Sequence, residues 1–239
     1  MKKEINITLS DAVIYCETAG NEDAPALIFL HGNGEDLHIF DKQISYFSQY
    51  YRTIAIDTRG HGKSSRGTKP FNFHTFADDL VYILDALQIE KASIVGFSDG
   101  AIIALHAALI APERISAMVL LGVNYNTKGI LLKYRFSIWL AYLWLSAVSP
   151  FLAKKRKQRE IWGLMVNQPC LTIQDISRIK IPTLVVTGEN DMASQIQNDE
   201  ISNAIENSQR MVIPSGNHFW MFKQPELLNQ CITEFLQKM

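Results

Sequence analysis

The chain has 239 residues, 47% of them hydrophobic and 20% charged, and a formal net charge of −1. That size suits one soluble globular domain with a substantial core, and the near-neutral balance gives no argument for nucleic-acid binding or for acidic substrates as a whole-chain property, so no nucleic-acid partner is expected. Three scattered cysteines, Cys16, Cys170 and Cys231, suit neither a disulfide framework nor a cysteine metal site.

In chain order, the opening "MKKEINITLSDAVIYCETAG" has two lysines but no continuous apolar stretch, so no secretory signal is expected and the cytoplasm is the expected compartment. Short apolar, β-branched runs then predict strands at residues 12–18, 26–30, 52–57, 92–97, 116–122, 183–188 and 210–213. From residue 26 onward these runs are too apolar for a sheet with one wet face, which predicts a mostly parallel sheet covered on both sides. Between them, "FHTFADDLVYILDALQ" places Phe76, Leu80, Ile83, Leu84 and Leu87 at helical spacing. "AIIALHAALIAPERI" and the terminal "ELLNQCITEFLQKM" read the same way. The fold class is therefore α/β, with helices on both faces of the sheet.

One interval breaks the alternation. Residues 123–180 contain no clear strand and are rich in aromatics, so they are expected to form a helical cap inserted into a core made of residues 1–122 and 181–239. Between Lys128 and Arg159 lie eight Lys or Arg residues and no acidic residue. The uncharged run Phe136 to Leu152 falls short of a membrane span, at ~1.5 Å per residue against a ~30 Å hydrocarbon core. Its basic flanks leave contact with an anionic membrane surface as the alternative to a cap that buries Trp139 and Trp144 over the site.

The chemistry is expected at "VGFSDGAIIAL". Here a strand runs into a helix through Gly-Phe-Ser-Asp-Gly, a turn tight enough to expose the Ser98 hydroxyl above the sheet edge. A serine hydroxyl is a weak nucleophile near neutral pH, so it needs a base, and the base needs an orienting acid. Of six histidines, His74 and His106 fall inside helical segments and His38 near a helix start. His31 and His61 sit in glycine-rich turns and are expected to hold loop backbone. His218, in "PSGNHFW" after the last strand, is the expected base. In "VVTGENDMAS", Asp191 is the expected acid, with Glu189 as the nearer but shorter-reaching rival. "LIFLHGNGED" ends a strand in a turn suited to presenting a backbone amide, so the Asn33 and Asp99 N–H groups are the expected oxyanion donors. The Asp99 side chain has two readings: complement to its own helix N-terminus, or contact for a cationic group on a substrate. Trp139, Trp144, Trp162 and Trp220 are candidate pocket walls, with core packing as the alternative for Trp162 and Trp220. A metal site at His31, Asp57 and His61 lacks a recognised ligand spacing, and no G-x-G-x-x-G joins an early strand to a helix, so neither metal nor cofactor is expected.

The stretches HGNG, GFSDG, GEND and GNHF, with "AIDTRGHGKS" between the first two, resemble the α/β-hydrolase superfamily over nearly the whole chain. Asp directly after the serine is similar to biphenyl hydrolase-like proteins, which cleave amino-acid esters. The resemblance implies a nucleophile, acid and base at Ser98, Asp191 and His218, and hydrolysis of a small carboxylic ester; the apolar cap favours a substrate with a hydrophobic acyl or alkyl group. Hydrolysis of a carbon–carbon bond, a triad-assisted elimination, and ligand sensing with weak turnover are the alternatives the same motifs allow. A serine at the elbow does not suit dehalogenase or epoxide hydrolase chemistry on this fold, which needs a carboxylate there. Substrate identity and oligomeric state are left open.

Overall fold

Predominantly apolar, β-branched runs become the centre of the sheet. In the structure, a computed structural model that describes residues 2–239 apart from the side chains of Ala153 and Lys154, all five residues of Ala26–Leu30 are buried. The strands are β1 (Lys3–Thr8), β2 (Val13–Ala19), β3 (Ala26–Leu30), β4 (Arg52–Ile56), β5 (Ala92–Phe97), β6 (Ile115–Leu121), β7 (Thr183–Asn190) and β8 (Ser208–Asn217). They form one sheet in the order β1-β2-β4-β3-β5-β6-β7-β8. β1 and β2 join antiparallel, and every pairing from β4 to β8 is parallel. Parallel neighbours need crossovers, and the helices supply them.

Two apolar layers sandwich the sheet. On one side α2 (Phe73–Ala86), α3 (Asp99–Ile110) and α7 (Gln195–Ala204) bury Phe76, Leu80, Ile83, Ile102 and Ile201 against Ile28, Ile94 and Val185. On the other, α1 (Asp41–Phe47), α8 (Trp220–Lys223) and α9 (Pro225–Leu236) bury Ile44, Phe47, Trp220, Leu228 and Phe235 against Phe29, Val95 and Val186. Alternate residues of each central strand feed the two layers, as the period of a strand requires.

The strand expected at residues 12–18 begins and ends one residue later, and the last strand is longer than its apolar stretch. β1 was not expected: only Ile7 of its six residues is buried. Between β6 and β7 the chain makes α4 (Leu132–Val148), α5 (Ala153–Asn167) and α6 (Ile173–Ser177). α5 is fastened to the sheet portion at two places. Arg66, in the loop after β4, donates from Nε and Nη2 to both Glu160 carboxylate oxygens at 3.0 and 2.8 Å. The Asn33 side-chain amide donates to the Ile161 carbonyl at 2.9 Å.

A buried ion cluster locks the loop after β4. Arg59 is completely enclosed and donates to Asp79 through Nε and Nη2 at 2.7 and 2.8 Å, and to Asp11 through Nη1 and Nη2 at 2.8 and 3.0 Å. The Arg59 guanidinium holds the Asp11 carboxyl far below the usual carboxylate range.

Candidate active site

Ser98 follows β5 directly and precedes α3, with φ 52° and ψ −113°. Such a backbone costs a non-glycine residue on the order of 1–3 kcal/mol, so the packing around it must hold it there. The flanking glycines show how. A Cβ on Gly100 would collide with the Leu30 and His31 backbone, and one on Gly96 with the backbone of Gly100 and Ala101. Only glycine lets α3 start this close to β3 and β5. The Ser98 N–H donates to the Leu121 carbonyl at 2.8 Å, which ties the turn to the neighbouring strand.

Asp191 lies at the end of β7 and His218 follows β8. His218 Nδ1 and Asp191 Oδ1 are 2.6 Å apart, and the residues are 7% and 3% exposed. The other carboxylate oxygen of Asp191 accepts from the Gly188 N–H at 3.2 Å, while Oδ1 also accepts from the Ala193 N–H at 2.9 Å. Those backbone donors fix the carboxylate, and the carboxylate fixes the imidazole with Nδ1–H as its donor. The ring packs against Phe97, with centroids 4.8 Å apart, and against the edge of Phe219. Gly122, at φ +61°, completes the bed: a Cβ there would lie 2.7 Å from His218 Cε1.

Ser98, Asp99 and His218 line one cavity. No hydrogen bond joins the Ser98 hydroxyl to His218 among the described residues, although both side chains line the same cavity. Catalytic hydrogen bonds of this kind often tighten only when substrate is present. The cavity is narrow, with a volume of about 20 Å³ open to water. Ile130, Met165, Gln168 and Met192 supply other walls.

Asp99 is 6% exposed, and its carboxylate accepts from the Asn33 side-chain amide at 2.8 Å. Burial pushes its pKa up to about 6, against the pull of the Asn33 hydrogen bond and of the nearby His218. Glu35, next along the same loop, is driven further. Burial pushes it up to about 7, although it accepts from the Gly32 N–H at 3.0 Å and faces His218; Asp99 and Asp36 add repulsion. Neither the Asn33 N–H nor the Asp99 N–H donates to a protein acceptor among the described residues, and the Asp99 amide opens the first turn of α3. Asn33 itself is not among the residues lining the Ser98 cavity.

Glu189 is engaged elsewhere: its carboxylate accepts from the Ser215 N–H at 2.7 Å. His31 and His61 hold turns, as their glycine-rich setting suggests. The Thr58 N–H donates to His31 Nε2 at 3.0 Å, and His61 Nδ1 stands 3.1 Å from the Arg59 carbonyl.

The four tryptophans fall in different places, Trp220 in the core packing that was the alternative for it. None of the four lines the Ser98 cavity. Trp220 is packed in the core beneath the sheet, where apolar surface from α9 already surrounds it. Trp139 and Trp144 sit on α4, 48% and 56% exposed, and Trp139 borders a separate apolar groove of about 210 Å³. Trp162 borders a third cavity, with Glu35 and His61. Gly122, Glu35 and Met165 are not marked by the sequence pattern as site residues. A glycine just after β6 was the one available signal for Gly122. Nothing in the pattern of α5 announces that Met165 turns inward.

The family model described as alpha/beta hydrolase fold matches residues 25–160. The 3-oxoadipate enol-lactonase 2 of Acinetobacter baylyi is 36% identical over 113 residues, 47% of this chain and 42% of that protein. Epoxide hydrolase 2 of Siraitia grosvenorii is 33% identical over 137 residues, 56% of this chain and 43% of that protein. The matched stretch thus spans less than half the length of either relative. A solved structure described as a putative lipase from Acinetobacter baumannii superposes with a TM-score of 0.85 at 17% identity, over 99% of this chain and 91% of that one.

Proposed function

The chain belongs to the α/β-hydrolase fold family, and from that premise we propose that it is a serine hydrolase acting on a small carboxylic ester or lactone. Ser98 Oγ attacks the carbonyl carbon while His218 Nε2 takes the hydroxyl proton, and Asp191 stabilises the imidazolium through Nδ1–H. The carbonyl oxygen becomes an oxyanion, met by the Asp99 N–H at the start of α3 and by the Asn33 N–H across the gap. Collapse of the tetrahedral intermediate transfers the His218 proton to the leaving oxygen and leaves an acyl group on Ser98. Water then gives a proton to His218 and its hydroxide to the acyl carbon. Collapse returns a proton to Ser98 and releases the acid.

The observation that carries this reading is the 2.6 Å His218–Asp191 contact in a buried setting, with His218 and the strained Ser98 facing one cavity. The relative named an enol-lactonase supports a lactone, a cyclic ester, as one form of the substrate. A serine where the epoxide chemistry of this fold needs a carboxylate argues against the activity that the other relative's name carries.

Residues 123–180 serve as the cap in this reading. The space beside Ser98 is narrow, so a substrate enters by displacing the Met165 and Met192 side chains or by a shift of the cap. Met165 also lines the apolar groove beside α4, which places room for a hydrophobic acyl or alkyl group next to the cavity.

A panel of p-nitrophenyl acetate, p-nitrophenyl butyrate and a γ-lactone, assayed with the wild type and with Ser98→Ala, tests the proposal. Turnover of at least one substrate, reduced by about 10³-fold or more in a folded Ser98→Ala protein, is the expected result. Equal turnover by the two proteins would reject it. A wild type inert toward all three would move the reading to carbon–carbon hydrolysis or ligand sensing.

A further inference from the structure

A helix that is apolar all the way round is ordinarily enclosed. Beyond its first turn, which carries Lys133 and Arg135, α4 has no charged residue and apolar side chains around most of its circumference, yet only one side of it is covered. Ile138 and Leu145 face inward and are buried, whereas Leu132, Phe136, Trp139, Leu140, Leu143 and Trp144 are exposed. Those six recur at the spacing of one helix face. Phe151 and Leu152, just beyond the helix, continue the surface at 85% and 53% exposure. Contiguous apolar surface of this kind marks a place where something docks.

The charge around the patch identifies the occupant. Lys128, Lys133, Arg156 and Lys157 are exposed, and no acidic residue occurs from residue 128 to residue 159. Among the described residues, none of the cations in this interval forms a salt bridge. Lys155 lies over the Trp144 ring at 5.4 Å and Lys133 over Tyr134 at 4.8 Å, which keeps ammonium groups beside the apolar face. A second copy of this chain docked face to face about a twofold axis would bring these cations against their equivalents, a repulsive pairing. A polar protein surface would leave the apolar stripe in contact with polar groups.

We propose that the outer face of α4, with Phe151 and Leu152, docks on an anionic lipid surface. The apolar side chains enter the boundary between headgroups and acyl chains, the exposed tryptophans sit at headgroup level, and the flanking lysines and arginines pair with lipid phosphates. The helix lies along the surface: no helix of the described residues is long and apolar enough to cross a membrane. The groove bordered by Leu132, Phe136 and Trp139 opens on this face, so a lipophilic molecule dissolved in the bilayer would meet it directly. The docking is independent of whether Ser98 is the nucleophile.

Co-sedimentation of the intact chain with vesicles tests it, comparing pure phosphatidylcholine with an equal mixture of phosphatidylcholine and phosphatidylglycerol. At ~0.1 M salt, binding to the anionic vesicles is expected to exceed binding to the neutral ones by at least ~10-fold, and most of the difference should vanish near 1 M salt. The pairs Lys133→Glu with Arg156→Glu, and Leu143→Ser with Phe151→Ser, are each expected to weaken binding by ~10-fold or more while keeping the thermal transition of the wild type. Tryptophan emission of the unaltered protein gives a reading that needs no variant: it should shift to the blue on adding anionic vesicles. No binding and no shift would overturn the proposal. Equal binding to neutral vesicles would overturn the anionic assignment. Self-association abolished by the Leu143→Ser, Phe151→Ser pair, without vesicle binding, would assign the face to a second copy instead.

Discussion

His218 Nδ1 and Asp191 Oδ1 lie 2.6 Å apart, and Asp191 Oδ1 also accepts from the Ala193 backbone at 2.9 Å. The carboxylate is thus anchored before it anchors the imidazole. An Asn at 191 would present an amide where Nδ1–H needs an acceptor, or force the other tautomer, with Nε2 as donor toward Ser98. Asp191→Asn is therefore expected to lower kcat by about 10⁴-fold with little change in thermal stability. Steady-state kinetics on whichever ester or lactone the wild type cleaves checks this. A loss of less than ~10-fold would mean that the pair does not serve Ser98.

Gly122 carries a prediction that its sequence position alone would not suggest. An alanine there would be strained at φ +61° and would press its Cβ on His218 Cε1, 2.7 Å away before relaxation. The ring has Phe97 and Phe219 beside it and little freedom to retreat. Gly122→Ala is expected to cost ~10²-fold in kcat and only about 1–2 kcal/mol in stability. Comparing turnover with urea denaturation separates the two effects, and a variant with full turnover would show that the imidazole position is not critical.

Asp99 gives a pH dependence with a defined sign. Its folded pKa, raised to about 6 by burial, exceeds its ordinary value of 3.8. Between those values the folded state holds a proton that the unfolded state has released, so stability falls as pH rises through that window. Asp99→Asn keeps an oxygen for the Asn33 amide and removes the titration. The variant is expected to gain on the order of 2–3 kcal/mol relative to the wild type near pH 8 and no advantage below about pH 4. Urea denaturation at both pH values tests this; an advantage that is the same at both would refute the linkage. Glu35, raised to about 7, adds a slope of the same sign between pH 4.5 and 7.

Arg59 and Asp79 form a pair whose loss should be structural. Removing the carboxylate leaves half of an enclosed guanidinium without its partner, which typically costs about 3–5 kcal/mol. Asp79→Ala is expected to lower the unfolding free energy extracted from denaturant titrations by that amount. A change below 1 kcal/mol would mean that Asp11 alone satisfies the arginine.

The parallel centre of the fold was legible because β3, β5, β6 and β7 are short, built around apolar and β-branched runs, and separated by helices with a clear period. β1 was not, because "KEINIT" buries only Ile7 and reads like a polar tail; backbone pairing with β2 makes it a strand. β8 extends past Pro214, a residue that a central strand does not tolerate but an edge strand does. The same contrast holds at the site. Ser98, Asp191 and His218 were each marked by a glycine-rich turn at a strand end, a signal local to the chain. The tryptophans carried no such mark. An aromatic side chain suits a core, a groove or an open face equally, and only its neighbours decide. Trp220 found α9, while Trp144 found no apolar cover. Met165 was invisible for a related reason: α5 is basic along its first half, and which of its faces turns toward Ser98 depends on the Arg66–Glu160 and Asn33–Ile161 ties made across the fold.

The central claim is that Ser98 is a nucleophile activated by His218. Treating the folded protein with a fluorophosphonate and mapping the adduct by mass spectrometry measures that reactivity without assuming a substrate. The expected result is a single phosphonylated residue, Ser98, with labelling slowed by at least ~10³-fold in His218→Ala. An unlabelled protein, an adduct on another residue, or equal labelling of Ser98 without His218 would contradict it.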